Sequence, residues 1–345
     1  MNQKTDQQKN LWLMVGIGAV IVIGVVFGIL AATHGLTKKN AFLWGVMTRE
    51  ASLQDYTLDY WNKELGYDKQ LGVNSIKIDY DAHAGYKRSV EMVQSAKSKN
   101  LEVLFTFAPA DILKVQKPYD EGYSLGKKLG TKLAGQVAYY QLMSEPASTA
   151  LKGGQFTGTL QSDYDQAKYQ IVMNWLKGAS DGVRAGDPKA KIVINDQWTH
   201  FAFFDMIARD GVKFDYLGWN WFSDMGFLGD KTLDNGTKVF DKLKSYNKPI
   251  ILTEVNERPD SVKGMDENAQ SDFIQKMADF AWANKDAIKG FFVLELTDQP
   301  ATQIHAPKSE YYGLIKFSQN ADGTYTFGQP KKAFATYQNI IKTHK

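Results

Sequence analysis

The chain has 345 residues, with 41 Lys and Arg against 38 Asp and Glu, for a net charge of +3. A balance that near neutrality, without long basic runs, argues against a nucleic-acid binder, which needs a concentrated basic face. Apolar residues at 43% and aromatics at 13% supply a large core and argue against a disordered chain, and the absence of cysteine removes disulfides, thiolate metal sites and cysteine nucleophiles together.

Residues 1–10 read as a short N-terminal tail. Residues 11–32 then run LWLMVGIGAVIVIGVVFGILAA without a charge. As a helix rising about 1.5 Å per residue, this stretch spans roughly 30 Å, the thickness of a bilayer's hydrocarbon core. A cleaved signal peptide has a shorter apolar stretch of about 7–15 residues, and a buried core helix would show a polar stripe. Residues 11–33 are therefore expected to form one transmembrane signal anchor. Lys4 and Lys9 ahead of it balance Lys38 and Lys39 behind it, so the positive-inside count is a tie. The short tail before a large domain favours export, which gives a single-pass cell-membrane protein with an extracytoplasmic domain. Residues 34–39 read as a linker.

From residue 40 to 345, short apolar runs alternate with longer amphipathic stretches. The runs are 41–47 (AFLWGVM), 73–79 (VNSIKID), 101–107 (LEVLFTF), 137–143 (VAYYQLM), 191–196 (KIVIND), 214–220 (FDYLGWN), 249–254 (PIILTE) and 290–296 (GFFVLEL). Each is rich in β-branched or aromatic residues and short enough for a buried strand. Between them, residues 86–99, 164–185 and 268–284 carry apolar residues at helical spacing, with Ser162 and Asp163 as caps of the second. Eight strand–helix repeats predict a parallel (β/α)8 barrel, a TIM barrel. A doubly wound open sheet would offer a Gly-rich first turn, but the first run is followed by Thr48-Arg49-Glu50. The extra length falls in two loops, 145–163 and 221–238, on the face where this fold builds its active sites.

Two glutamates stand at strand ends on that face. Glu145 follows the fourth strand and Glu254 closes the seventh. Strands four and seven face each other across a barrel mouth, so the pair can converge on one bound bond. Paired carboxylates about 5–5.5 Å apart are the apparatus of retaining glycoside hydrolysis.

At these residues the sequence resembles the clan A glycoside hydrolases, the group holding families 5 and 39. Ser144-Glu145-Pro146 matches the clan's Asn-Glu-Pro turn and implies Glu145 as general acid/base. Leu252-Thr253-Glu254 matches the end of strand seven and implies Glu254 as nucleophile. The run from Asp215 to Trp221 resembles the clan's aromatic strand six, with Asn220 and Trp221 as implied substrate contacts. The run from Val293 to Pro300 is similar to the Glu-x-x-Asp-x-Pro sequence of family 39-like enzymes and brings in Glu295. Tyr312-Gly313-Leu314-Ile315 and Pro330-Lys331-Lys332-Ala333 resemble the usual barrel ending. Two residues depart from the pattern: Ser144 replaces the Asn that contacts a sugar's 2-hydroxyl, and Lys77 replaces an Arg in strand two, keeping the charge but losing the planar fork.

Other residues complete the expected site. Glu254 should raise the pKa of Glu145, and Lys77 or a tyrosine near strand six should keep Glu254 charged. Asp79 and Asp81 suit substrate hydroxyls. Trp198 and Trp221, read as lying past their strand ends, are the candidate stacking platforms, ahead of Trp44, Phe107 and Trp219. His83 and His200 follow strands, with a solvated loop as the simpler reading for each. Glu257 is a rival acid. No His-x-His or His-Glu-x-x-His pair appears, so neither a metal nor a cofactor is implied. The expected partner is a poly- or oligosaccharide, and the alternative is a carbohydrate-binding scaffold that has lost turnover.

Overall fold

The computed structural model describes residues 41–48, 57–80, 86–153, 156–260, 263–299 and 311–344. The tail, anchor and linker expected in residues 1–39, together with Asp81, His83 and His305, lie outside the described residues. Among the described residues no helix is long and apolar enough to cross a membrane.

Eight parallel strands close into a barrel: β1 (Leu43–Met47), β2 (Ser75–Asp79), β3 (Glu102–Phe107), β4 (Tyr139–Leu142), β5 (Lys191–Gln197), β6 (Tyr216–Phe222), β7 (Ile250–Asn256) and β8 (Ile288–Val293). Each pairs with its sequence neighbours, and β1 returns to β8 with Leu43 opposite Gly290. The helices that follow β1 to β3 are α1 (Leu58–Leu71), α2 (Tyr86–Ser98) and α3 (Pro118–Leu133). A five-residue helix α4 (Pro146–Ala150) and the long α5 (Gln166–Gly186) follow β4. Then come α6 (Phe201–Arg209), α7 (Val239–Ser245) and α8 (Glu267–Ala283) after β5, β6 and β7. An antiparallel hairpin, β9 (Ile315–Gln319) with β10 (Tyr325–Pro330), separates β8 from the closing helix α9 (Lys332–Thr343).

The strands are apolar runs because they are covered on both faces; every residue of β1 and β7 is buried. Leu43, Leu104, Val193 and Ile251 come from alternate strands and form a layer inside the barrel with Phe292, the filling pattern of this fold. The larger cluster lies between strands and helices and takes in Trp61 and Trp175.

Several boundaries differ from expectation. β6 and β7 each run two residues further, to Phe222 and Asn256, because Asn220 pairs with Glu254 and Phe222 with Asn256. Trp221 and Glu254 therefore lie within strands. β8 stops at Val293, so Glu295 lies beyond it. α5 is capped by Asp165, whose side chain accepts from the N–H groups of Ala167 and Lys168, in place of Ser162 and Asp163. An interlock of α3 with α5 was not anticipated. Gly122, Gly126 and Gly130 face Gly178, Gly182 and Gly186 so closely that a Cβ on Gly182 would lie 2.3 Å from the Tyr123 carbonyl, and one on Gly126 2.5 Å from that of Ala179.

Candidate active site

The turn after β4 carries the first glutamate in an unusual backbone. Met143 (φ 61°) and Glu145 (φ 50°) are both left-handed, a conformation that costs a non-glycine residue about 1–3 kcal/mol. The adjoining strand holds it. The Glu145 N–H donates to Asn195 Oδ1 at 3.1 Å, and the Ala147 N–H to Asp196 Oδ2 at 2.7 Å. The other oxygen of Asp196 accepts from the Gln197 N–H at 2.9 Å and meets the Nδ1 of His200. Asp196 is fully buried, and these partners replace the water it has lost.

The Glu145 carboxylate has an amide donor on each oxygen. Asn220 Nδ2 reaches Oε1 at 2.7 Å, and Gln197 Nε2 reaches Oε2 at 2.6 Å. The Asn220 amide cannot turn, because its Oδ1 accepts from Thr253 Oγ1 at 2.7 Å and from Asn195 Nδ2 at 3.2 Å. Burial is the largest influence on Glu145, followed by the charges of Glu254 and Asp196. Against the bond from Asn220 and the charge of His200, these push its pKa up to about 7. Glu254 raises it as expected, and removal from water, which the sequence did not show, raises it more.

Glu254, on β7, is held from the opposite wall. The fully buried Lys77 on β2 bonds Glu254 Oε1 through Nζ, and Ser144 Oγ stands 3.4 Å from the same oxygen. Burial works against a charge on Lys77, but Asp79, Glu254 and Glu145 together hold its pKa above the ordinary lysine value. Asp79 Oδ1 lies 3.9 Å from the Lys77 ammonium. The donor sought for Glu254 is thus Lys77, with Ser144 beside it. None of the described residues donates to Glu254 Oε2.

The other expected residues divide. Asn220 belongs to the site through its bond to Glu145, with no open face for substrate, as it is fully buried. Trp221 is also fully buried and donates Nε1–H to the Gly226 carbonyl at 2.7 Å; it is a backing residue, a correction that follows from the longer β6. Trp198 is only partly buried, stacks on Trp221 with ring centroids 6.1 Å apart, and carries the Lys231 ammonium 4.5 Å from its ring centre. Trp44, Phe107 and Trp219 are core. Glu295 is buried just past β8 and paired through its backbone with Tyr312 and Leu314, while Glu257 is half-buried further out. His200 is buried, not solvated: burial alone would lower its pKa, but Asp196 and Glu145 raise it. Asn195, Asp196, Gln197 and Thr253 were not singled out from the sequence. The signal for the first three was the polar run that ends β5, on the face where such barrels keep their chemistry, while Thr253 directly precedes Glu254 on β7. Among the described residues no group of three His, Asp or Glu is arranged to hold a metal ion.

No protein-family model matches the sequence, and no curated protein matches it either. Solved structures do match the fold. A family 1 β-glucosidase from Thermotoga maritima superposes with a TM-score of 0.63 at 15% identity, over 88% of this chain and 98% of that one. The β-glucosidase from the same organism in complex with deoxynojirimycin gives 0.64 at 16%, over 88% and 98% of the two chains. Its complex with cyclophellitol gives 0.64 at 15%, over 89% and 98%. This chain shares with them the (β/α)8 barrel fold.

Proposed function

We propose that the protein is a retaining glycoside hydrolase in which Glu254 is the nucleophile and Glu145 the general acid/base. One observation carries the reading. Two carboxylates meet in the barrel mouth in different environments: burial pushes the pKa of Glu145 up to about 7, and the Lys77 ammonium is bonded to Glu254. A general acid needs the first environment and a nucleophile the second. Ser144, which directly precedes Glu145, touches Glu254, so the two carboxyl groups lie near one another, as a double displacement requires.

In this mechanism Glu254 Oε2 attacks the anomeric carbon while Glu145 gives its proton to the departing glycosidic oxygen. The bond from carbon to leaving group breaks as the glycosyl ester forms. Once Glu254 is esterified its charge is gone, the pKa of Glu145 falls, and the Glu145 carboxylate takes a proton from a water that attacks the anomeric carbon, breaking the ester and returning Glu254 as a carboxylate. The amides of Gln197 and Asn220 aim that carboxylate throughout. Trp198 offers a ring to a sugar face. The substrate is a poly- or oligosaccharide. With residues 11–33 as a membrane anchor and the barrel outside the cytoplasm, an envelope or exopolysaccharide fits. The fold-level likeness to β-glucosidases supports the reaction class.

The test is mass spectrometry of the full-length chain after incubation with 2-fluoro glycosides and cyclophellitol-type epoxides of several sugars. A covalent adduct on Glu254, absent from Glu254→Gln, is expected. An adduct on Glu257 or Glu295 would move the nucleophile. No adduct with any probe, together with polysaccharide binding, would turn the reading to a scaffold.

A further inference from the structure

Lys77 is fully buried, so its ammonium needs a counter-charge at every step of a reaction. In the resting site it has two. It bonds Glu254 Oε1, and Asp79 Oδ1 stands 3.9 Å away. Among the described residues no other carboxylate lies within 4 Å of it. Lys77 and Asp79 are two residues apart on β2, so both side chains leave the same face of the strand. Asp79 Oδ1 is itself buried and accepts no hydrogen bond from any described residue. A buried carboxylate oxygen without a donor costs the fold free energy, and the resting state gives this one no use.

We infer that Asp79 is a positioning residue that takes over the Lys77 ammonium while Glu254 carries the sugar. The inference rests on the reading of Glu254 as the nucleophile. When Glu254 Oε2 bonds the anomeric carbon and the glycosidic bond breaks, Oε1 becomes a neutral ester carbonyl and no longer balances Lys77. No proton leaves the lysine. Its ammonium moves by about 1 Å, which shortens the 3.9 Å separation to a charge-assisted hydrogen bond of about 2.8 Å and keeps the buried cation paired. Glu145 does not serve there. Its oxygens are taken by Asn220 and Gln197, and it has the proton of the attacking water to accept. When water breaks the ester, Glu254 regains its charge and the ammonium returns. In the resting enzyme Asp79 also loosens the hold of Lys77 on Glu254, which keeps the nucleophile reactive. From both sides, then, Asp79 favours the ester over the free carboxylate.

The test follows both half-reactions in the full-length chain by mass spectrometry, with dinitrophenyl 2-fluoro glycosides of several sugars as probes. Labelling of Glu254 reports ester formation, and loss of the adduct after the probe is removed reports ester hydrolysis. Asp79→Asn keeps the shape and removes the charge. At saturating probe its labelling should slow by about tenfold or more, while its adduct is lost about tenfold faster. Asp79→Ser is held to the same outcome, so that a folding defect in one variant does not decide the matter. Asp79→Glu, which keeps the charge, should return both rates toward those of the parent. A merely structural role would not move the two rates in opposite directions. An adduct no shorter-lived in Asp79→Asn and Asp79→Ser than in the parent overturns the inference and leaves Glu254 as nucleophile. If the only change is a higher probe concentration for half-maximal labelling, Asp79 is a contact of a sugar hydroxyl and the inference is again overturned. No adduct on Glu254 of the parent chain overturns the nucleophile assignment and this inference together.

Discussion

Replacing Glu145 by Gln should stabilise the protein, and only above acidic pH. The pKa of Glu145 rises from 4.5 to about 7 on folding, so the native state binds the proton more tightly than the unfolded chain. The stability this contributes is fully present below pH 4.5 and is lost as pH rises through 7. At 1.36 kcal/mol per unit the loss is about 3 kcal/mol by pH 8. Gln carries no charge and avoids it. Its amide does create one conflict, since both oxygens of Glu145 now accept N–H donors. Asn220 is locked by Thr253 and Asn195, so the Gln197 amide must turn to present its oxygen, which reduces the gain to about 1–3 kcal/mol. Thermal and urea unfolding of both proteins from pH 4 to 8.5 measures this. At pH 4 the Gln variant should be level or slightly less stable, by the cost of that conflict, and it should gain on the parent by about 3 kcal/mol toward pH 8, at about 2–4 °C per kcal/mol for a domain of this size. A difference independent of pH, or a less stable Gln variant at pH 8, would refute the assignment of Glu145 as the buried acid.

Three further substitutions probe the same arrangement. Lys77→Met leaves Glu254 without its cation, and labelling by mechanism-based glycosides should slow by on the order of 10²–10³; an unchanged rate would remove Lys77 from the site. Asn220→Ala deletes the donor that favours the Glu145 carboxylate, so its pKa should climb further by about 1–2 units, visible as an upward move of the alkaline limb in the pH profile of labelling. Gly182→Ala drives a Cβ to 2.3 Å from the Tyr123 carbonyl, an overpacking cost of about 1–3 kcal/mol or more that outweighs the roughly 1 kcal/mol gained in helix propensity. Its melting temperature should fall while labelling of Glu254 persists.

The barrel is legible in the sequence because its strands are covered on both faces and read as apolar runs. What misleads is their polar ends. Asn220 and Glu254 read as the last residues of their strands, but the ladder continues past them to Phe222 and Asn256, so β6 and β7 run on and carry Trp221 into the core. The two glutamates are legible because strand ends are few and the chemistry selects among them. Their supports are not, because each acts across strands: Asn195 and Asp196 on β5 hold the backbone after β4, and Thr253 on β7 orients Asn220 on β6, which aims Glu145. Nothing local in Asn195-Asp196-Gln197 announces those partners. The glycine interlock differs, since the four-residue spacing from Gly122 to Gly130 and from Gly178 to Gly186 is visible in the chain; only the tertiary contact shows that the two series meet.

Ser144 and Lys77, the two departures from the clan pattern, meet on one atom. An arginine fork engages both carboxylate oxygens, whereas a lysine is a point charge, and Lys77 and Ser144 both address Glu254 Oε1. In the proposed mechanism that leaves Oε2 for the anomeric carbon. The 3.4 Å contact from Ser144 is long for a hydroxyl donor and secondary to the ammonium. If it is the whole role of Ser144, Ser144→Ala should cost about 1 kcal/mol or less, under a tenfold loss in labelling rate, and equally for all probes. If Ser144 instead contacts the sugar hydroxyl that the clan's Asn contacts, the loss falls on the cyclophellitol-type epoxide, which keeps a hydroxyl there, and spares the 2-fluoro glycoside, which lacks it. A uniform loss assigns Ser144 to the nucleophile. A selective one assigns it to the substrate, and with it a requirement for a 2-hydroxyl.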